Sequence, residues 1–308
     1  MASFFLKMWY TALVTFDLFL VSWLHITFAT HWIITVIALV IYYLVQLPES
    51  TRFKHWDGWR WVRAHWFHTR IYVPSAAGGW SVVRDIERDW EPPHRRGQVI
   101  YAVAPHSVYA ENVTITMVLN ALFEGVAAVS TSLLFWLPVA REFASLAGAH
   151  PATSHAISEL LDKGRSIIIT PEGMRGALHL NEVRGWRELL RQRKGFVRLA
   201  LTCKSWRTLC IIPVYHGGAE RLYDVWIPWR WMQGKLLNKF YYPWPILHLG
   251  WYGTCLPKQR QLCCYYGTPI PLSTDNGRTV RGVDEVHADY CAAMEKMASV
   301  HLKLNPAF

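Results

Sequence analysis

The chain has 308 residues, of which 52% are hydrophobic and 18% are charged, and it carries a formal charge of +10. This length excludes a disulfide-stapled miniprotein, and the apolar content excludes a disordered chain. The chain also holds 17 Trp residues, and because Trp concentrates where apolar and wet regions meet, the composition indicates contact with a membrane surface.

The positive charge suits an anionic lipid or cofactor better than nucleic acid. The basic residues form no long runs, and no zinc-finger spacing or RNA-binding signature accompanies them, so we expect no nucleic-acid partner. The six Cys residues form no Cys-x-x-Cys pair, which is typical of reduced, core-packed thiols in the cytosol. The His residues lack the spacing of a zinc site, so no metal site is predicted.

An apolar run from Phe4 to Leu47 predicts a membrane segment over residues 1–50. It divides into Trp9–Leu24 and Trp32–Leu47, both slightly shorter than the roughly 20 residues of a spanning helix. We therefore expect a transmembrane or re-entrant helical hairpin. A removed signal peptide is not expected, because no small-residue cleavage site follows the first stretch. Basic residues flank the run on both sides, which predicts that both of its ends lie in the cytosol.

Two further stretches are rich in Trp. Residues 51–97 interleave Trp with Arg, His and Lys, a mixture typical of an element in the headgroup layer. Residues 225–251 are broken too often by Pro and Gly to form a long helix. We interpret them as a loop that seals against lipid or lines a lipid-binding groove, and an aromatic lid over an ordinary core is the alternative.

Residues 98–308 alternate short apolar runs with helical patterns, which predicts an α/β domain with a central, mostly parallel sheet flanked by helices. The predicted strands are Gln98–Ala104, Gly125–Ser130, Ser166–Thr170, Leu209–Tyr215 and Gln261–Tyr266, and the clearest helices are Ser154–Lys163 and Lys194–Lys204. Ligands collect beyond the carboxyl ends of the strands in such sheets, so the chemistry is expected there.

The first predicted strand ends at His106, and Glu111 follows five residues later. Five residues along a regular helix turn a side chain by about 140°, so the two can meet only if His106 precedes the helix that carries Glu111. A His held by a carboxylate suits a general base that acts on a hydroxyl. The spacing alone is not specific, because about one such pair is expected by chance in this composition.

Two other strand ends carry polar residues. The third predicted strand leads into Pro171-Glu172-Gly173-Met174-Arg175, and the fourth leads into His216 and two glycines. A guanidinium on a flexible turn suits phosphate recognition. A plain turn with a surface ion pair is the alternative interpretation of the first of these turns.

Together these motifs resemble the glycerolipid O-acyltransferase superfamily, and most closely the diacylglycerol acyltransferase type-2 family. The resemblance spans residues 98–270 and rests on Pro105-His106-Ser107, residues 171–175, Ile212-Pro213-Val214-Tyr215 and the block that begins Arg193-Lys194-Gly195-Phe196-Val197-Arg198. It implies acyl transfer from acyl-CoA to a lipid hydroxyl at the endoplasmic reticulum membrane, with the catalytic domain facing the cytosol. The lipid droplet surface is a second location consistent with it.

The resemblance also implies roles for individual residues. His106 would be the catalytic base, and Glu111 its orienting partner. The residues implied in substrate binding, chiefly of phosphate groups, are Glu172, Gly173, Arg175, Arg193, Lys194, Arg198 and His216. No permanently bound cofactor is implied. The expected partners are acyl-CoA, a neutral glycerolipid and the bilayer, and a homo-oligomer is left open.

Departures from the family pattern leave the acceptor open. The type-2 family typically has His-Pro-His-Gly where this chain has Ala104-Pro105-His106-Ser107, and residues 171–175 look more like the lysophospholipid branch. Diacylglycerol, giving triacylglycerol, is favoured over a monoacylglycerol, a wax alcohol or a lysophospholipid. From a different class, a non-catalytic membrane scaffold would have no use for His106. A lipid hydrolase is disfavoured because the sequence lacks a Gly-x-Ser-x-Gly elbow.

The apolar segment yields a direct prediction. We expect the full-length chain to stay in the membrane after high-salt and carbonate washes, because two adjacent apolar stretches flanked by basic residues favour insertion. The measurement is the distribution of the protein between pellet and supernatant. A chain that starts near Arg52 serves as the comparison. Release of the full-length chain by carbonate would contradict the prediction.

Overall fold

The computed structural model describes residues 20, 40–42, 48–75, 79–83, 89–107, 110, 113–179, 185–226, 235, 247–254, 256–274 and 278–305. The predicted membrane hairpin over residues 1–50 therefore lies almost entirely outside the described residues. Among those that are described, no helix combines the length and the apolar character needed to cross a membrane.

The described residues contain 13 strands. They are β1 (Arg70–Pro74), β2 (Trp80–Val83), β3 (Val99–Ala104), β4 (Ala127–Ser130), β5 (Ala149–Pro151), β6 (Ile167–Ile169), β7 (Cys210–Gly217), β8 (Asp224–Trp226), β9 (Leu247–Leu249), β10 (Cys263–Tyr266), β11 (Ile270–Pro271), β12 (Ser273–Thr274) and β13 (Thr279–Val280). All five predicted strands are present, each within a few residues of its predicted bounds.

Within the described part of the chain, nine strands form one sheet in the order β2-β1-β10-β7-β3-β6-β4-β5, with β11 also paired to β7. The five strands from β7 to β5 are all parallel, as predicted. The sheet as a whole is mixed, however, because β10 and β11 run antiparallel to β7, and β2 runs antiparallel to β1. Two short ribbons, β8-β9 and β12-β13, lie outside this sheet.

Strands β1 and β2 come from the Trp-rich stretch that was predicted to lie in the headgroup layer. Trp66 is buried, and Trp90 packs against Tyr266 with 4.6 Å between ring centroids. Trp56 and Trp61 remain exposed, at 59% and 37%. Much of this stretch is therefore part of the folded body. The division of the chain at residues 50 and 97 stays a prediction.

Helices cover both faces of the sheet. They are α1 (Thr51–Lys54), α2 (Asp57–Trp61), α3 (Ala140–Leu146), α4 (Ser154–Asp162), α5 (Gly185–Gln192), α6 (Gly195–Thr202) and α7 (Val283–Leu304), with short 3-10 or π turns that include Val62–Trp66, Thr114–Val118, Ser132–Phe135 and Gly173–His179. Alternate residues of β3 divide between two core clusters, because side chains alternate across a strand. Helices α4 to α7 pack on one face, and α1 to α3 with residues 113–123 pack on the other.

Local sequence explains the predicted helix α4 and the unpredicted helix α7. The Thr153 side chain accepts a hydrogen bond from the Ala156 N–H at 3.2 Å and caps the start of α4. Gly164, at φ +76°, ends it in the left-handed conformation that glycine tolerates best. Helix α7 buries residues at a helical spacing, including Val286, Tyr290 and Met294, and so covers the sheet along its length.

The five described Cys residues are free thiols. Cys203, Cys263 and Cys264 are buried, whereas Cys210 and Cys291 are half-buried. Burial raises the pKa of the Cys210 and Cys263 thiols to about 11, so neither forms a nucleophilic thiolate at neutral pH.

Candidate active site

The parallel pairing of β3 with β6 and β7 brings three predicted strand ends to one edge of the sheet. Ala102 of β3 lies beside Ile169 of β6, and Ala104 lies beside Tyr215 of β7. His106 and Glu172 therefore leave neighbouring strands on the same side. This is the carboxyl edge at which the chemistry was predicted.

The His106 side chain is buried and contacts two backbone carbonyls. Its Nδ1 lies 2.5 Å from the carbonyl oxygen of Ser107, and its Nε2 lies 2.6 Å from that of Gly173. A carbonyl oxygen only accepts, so both contacts are hydrogen bonds when the ring carries a proton on each nitrogen. The two carbonyls thus hold the ring from both sides.

Gly173 can offer its carbonyl in this way because of its backbone conformation. Its φ is +59°, a left-handed value that residues with a Cβ adopt rarely. Its N–H donates to the Thr170 carbonyl at 3.0 Å and closes a turn at the end of β6. The carbonyl of this turn is the one that faces His106.

Glu172 lies inside the protein beside His106, with 1% of its surface exposed. Within the described residues neither carboxylate oxygen makes a hydrogen bond of good geometry. Burial raises the pKa of Glu172 to about 8, against a smaller opposing effect of the His106 backbone N–H. The Glu172 carboxyl is therefore mostly protonated and neutral at pH 7.

Gly176 provides the space that lets His106 and Glu172 share one volume. A Cβ at residue 176 would overlap the Glu172 carboxylate and would lie 3.0 Å from His106 Nε2. Both functional groups consequently border the Gly176 Cα. The glycine belongs to the same turn as Glu172 but was not identified from the sequence.

Two tyrosines complete the surroundings of Glu172, and neither was predicted as a site residue. Tyr215 lies on β7 and Tyr290 on α7, and the negative charge of Glu172 contributes to raising the pKa of both, with burial as the main cause. The Tyr290 hydroxyl donates to the Ala102 carbonyl of β3 at 3.5 Å. Tyr290 lies more than 180 residues from His106 in sequence, so no local motif could have indicated it.

The basic residues predicted to bind phosphate separate into two pairs. Burial is the main cause that lowers the pKa of Arg193, and the positive charge of nearby Arg175 lowers it further. Lys194 instead forms an ion pair with Asp284 at 2.6 Å, and Arg198 also faces that carboxylate. Two guanidinium groups held near each other favour an anion between them.

The structure places His216 in the buried core of the sheet. His216 is 1% exposed, and burial lowers its pKa to about 3, so the ring is neutral and offers no charge to a phosphate. It follows Tyr215 on β7, so the two side chains leave opposite faces of the sheet.

Glu111, the predicted orienting partner of His106, lies outside the described residues. The backbone carbonyl of Ser107 is the described partner of His106 Nδ1.

The geometry suits proton transfer at a strand end. An imidazole is held in place by carbonyls, and a neutral carboxyl lies beside it. Of the two guanidinium groups, Arg175 belongs to the turn after β6 and Arg193 to the loop between α5 and α6. His106 is the group with a proton-accepting nitrogen of suitable chemistry. Arg175 and Arg193 carry the type of charge that suits an anionic substrate.

Comparison with known proteins identifies the class. A family model described as diacylglycerol acyltransferase matches residues 25–304 of this chain. The protein is an acyltransferase enzyme. It belongs to the diacylglycerol acyltransferase family, which confirms the resemblance drawn from residues 98–270.

The chain is also similar to individual curated proteins. It is 26% identical to diacylglycerol O-acyltransferase 2-like protein 6 of Homo sapiens, over 78% of this chain and 74% of that protein. It is 24% identical to 2-acylglycerol O-acyltransferase 1 of Mus musculus, over 88% and 82%. Diacylglycerol O-acyltransferase 2 of Homo sapiens is 29% identical, over 54% and 45%.

Among solved structures, the 1-acyl-sn-glycerophosphate acyltransferase of Thermotoga maritima covers 80% of this chain and 77% of its own, with a TM-score of 0.40 and 12% identity. At this distance the similarity carries no information about the site or the substrate of this chain.

The packing around Gly176 generates a prediction for Gly176→Ala. The added methyl group would displace Glu172 or His106, so acyl transfer should fall on the order of 10²-fold, as expected for a misplaced catalytic group. Gly282→Ala is the control, because a Cβ there meets nothing within 4 Å. The measurement is turnover of purified protein with labelled acyl-CoA. Equal turnover of the two variants would contradict the packing described above.

Proposed function

We propose that the protein is a membrane-bound O-acyltransferase that moves a fatty acyl group from acyl-CoA to a lipid hydroxyl, with diacylglycerol as the favoured acceptor and triacylglycerol as the product. Family membership supports the reaction class. The single observation that carries the assignment to a site is His106, buried at the carboxyl edge of the sheet next to Glu172 and Gly173. The proposed location is the endoplasmic reticulum membrane, with the site on the cytosolic side.

In the proposed reaction His106 acts as a general base through Nε2. It takes the proton of the acceptor hydroxyl while the hydroxyl oxygen attacks the thioester carbonyl carbon. The tetrahedral intermediate then collapses, the carbon–sulfur bond breaks, and the imidazolium returns the proton to the coenzyme A sulfur. The products are an ester and a free thiol, and no covalent enzyme intermediate forms.

This role requires a change at the Gly173 carbonyl, which faces Nε2 in the described arrangement. A base needs a lone pair on Nε2, so the proton there must leave and the acceptor hydroxyl must replace the carbonyl as its neighbour. The Ser107 carbonyl can keep its hydrogen bond from Nδ1–H throughout. That bond selects the tautomer in which Nε2 is the free nitrogen.

We propose that Glu172 is a positioning residue and that its carboxyl does not contact a phosphate. A carboxyl with 1% exposure and no charge at pH 7 packs under His106 and Gly176 without adding a negative charge to the acceptor site. Arg175 and Arg193 are the proposed ligands of the coenzyme A phosphates, because they form the like-charged pair beside this turn. Lys194 and Arg198 have a smaller role here because they face Asp284.

A monoacylglycerol is the second candidate acceptor. The relatives named 2-acylglycerol O-acyltransferase align over most of this chain, whereas two relatives named diacylglycerol O-acyltransferase 2 align over 54% of it. A purified sample given labelled acyl-CoA and a panel of monoacylglycerol, diacylglycerol, wax alcohol and lysophospholipid would rank the acceptors. Failure of the chain to acylate any of them would contradict the proposed function.

For His106→Ala we expect acyl transfer to fall on the order of 10²–10⁴-fold, because removal of a general base costs that much. Membrane insertion and expression should be unchanged. His155→Ala is the matched control, since the His155 side chain is 90% exposed. The measurement is turnover with saturating substrates. Near-normal turnover in His106→Ala would show that the base lies elsewhere.

For Arg175→Ala we expect the KM for acyl-CoA to rise roughly tenfold with every acceptor, because a hydrogen bond to a charged group contributes about 1.5–3 kcal/mol. Lys at this position should restore only part of the affinity, since an ammonium lacks the bidentate fork. Arg278→Ala, at an exposed turn position, is the control. A loss confined to lysophospholipid acceptors would instead assign Arg175 to an acceptor phosphate.

A further inference from the structure

Among the described residues, three exposed Trp side chains lie on the layer formed by α1, α2 and α3, while Trp226 and Tyr252 are exposed outside it. The three Trp residues of this layer and Leu137 define what we call the aromatic rim: Trp136 at 67% exposure, Trp56 at 59%, Leu137 at 45% and Trp61 at 37%. On the opposite layer, the large exposed apolar residues of α7 are Leu302 and Leu304, which carry no indole. Indole rings suit a boundary between apolar and wet surroundings better than open water.

The rim is held together by the packing beneath it. Phe53 and Trp59 contact Phe143 of α3, with ring centroids 5.2 and 6.4 Å apart, and Trp59 contacts Trp56 at 5.2 Å. Trp136 and Leu137 directly precede α3, and the Leu137 carbonyl accepts from the Arg141 N–H at 2.9 Å. The two short helices therefore pack against α3, the helix that follows the turn of Trp136 and Leu137.

The same layer holds the end of the apolar N-terminal run. The Arg141 guanidinium donates to the Tyr42 carbonyl and lies 5.0 Å above the Tyr42 ring. The neighbouring Val40 and Ile41 are 52% and 55% exposed. Further along the chain, the Ser50 N–H donates to the Leu146 carbonyl at the end of α3 at 3.0 Å. Residues 40–42, which belong to the segment predicted to enter the membrane, thus lie beside α3, the helix that follows Trp136 and Leu137.

Trp136 and Leu137, at one end of the rim, lie at the catalytic edge of the sheet, whereas Trp56 follows His55, which lies 4.0 Å from Glu124 ahead of β4 and so toward the opposite edge. Residues 131–137 follow the carboxyl end of β4, and β4 is parallel to β6, which is parallel to β3. His106 follows β3 at the same edge. Trp136 and Leu137 are therefore on the side of the sheet from which a substrate reaches His106.

We propose that the aromatic rim is a second membrane contact, which inserts into the headgroup layer and sets the catalytic edge against the bilayer. The inference rests on the proposed function in that it takes the acceptor to be a lipid in that bilayer. Exposed Arg52 and Arg60 on the same two helices add attraction for anionic headgroups. A lipid hydroxyl then enters the site from the membrane and does not have to cross water.

The first test places a reporter on the rim. The full-length chain with Trp136→Cys is labelled with an environment-sensitive fluorophore and reconstituted into vesicles of phosphatidylcholine and phosphatidylserine. Leu302→Cys, 50% exposed on the opposite layer, is the matched control, and the labelled unsubstituted chain supplies the background of native thiols. We expect blue-shifted emission at position 136, several-fold lower quenching by aqueous iodide than at 302, and strong quenching by lipid spin-labelled near the headgroup.

Two results would overturn the proposal. Iodide quenching at 136 equal to that at 302 would place the rim in water. Protection from iodide without quenching by the spin-labelled lipid would show that protein covers the rim. Because this readout does not use activity, it stays informative even if the chain acylates none of the acceptors.

The second test uses Trp136→Glu combined with Leu137→Glu. We expect several-fold slower acylation of a diacylglycerol in vesicles, with an unchanged rate for a dispersed short-chain acceptor. Leu302→Glu with Leu304→Glu is the matched control and should leave both rates unchanged. Equal loss with both acceptors would indicate damage to the fold, and no loss with either would show that the rim does not guide the lipid to the site.

Discussion

The parallel alignment of β3 between β6 and β7 is the constraint on which the site depends. Parallel strands bring their carboxyl ends to one edge, so the turn after β3 and the turn after β6 must meet there. The contact between His106 and the Gly173 carbonyl follows from that alignment. A shift of β3 by one residue would send its side chains to the opposite face and separate the two turns.

Burial gives the site its chemical character. The same desolvation that leaves Glu172 uncharged also keeps His216 neutral on the other face of the sheet. A neutral carboxyl beside His106 avoids the cost of an isolated buried charge. The positive charges of Arg175 and Arg193, which are the proposed ligands of the donor phosphates, belong to the turn and loop outside this buried interior.

The elements packed on the two faces of the sheet differ in what they contact. Helix α7 supplies Tyr290 behind Glu172 and packs along β7, so it supports the catalytic groups from one side. The layer of α1 to α3 carries exposed indoles and holds the end of the apolar run through Arg141. The proposed chemistry and the proposed membrane contact of Trp136 and Leu137 lie at one edge because the turns after β3 and β4 leave the sheet in the same direction.

The sequence by itself determined the α/β class, the five central strands and His106 at a strand end, because apolar runs and turn residues are local signals. It could not give the direction of β10, since an apolar run is the same in a parallel or an antiparallel strand. Nor could it show that Lys194 is paired with a carboxylate, because its partner Asp284 lies 90 residues further along the chain. Only the tertiary structure decided that Gly176 and Tyr290 border Glu172 and that this carboxyl is buried, because burial and charge depend on which distant elements pack together.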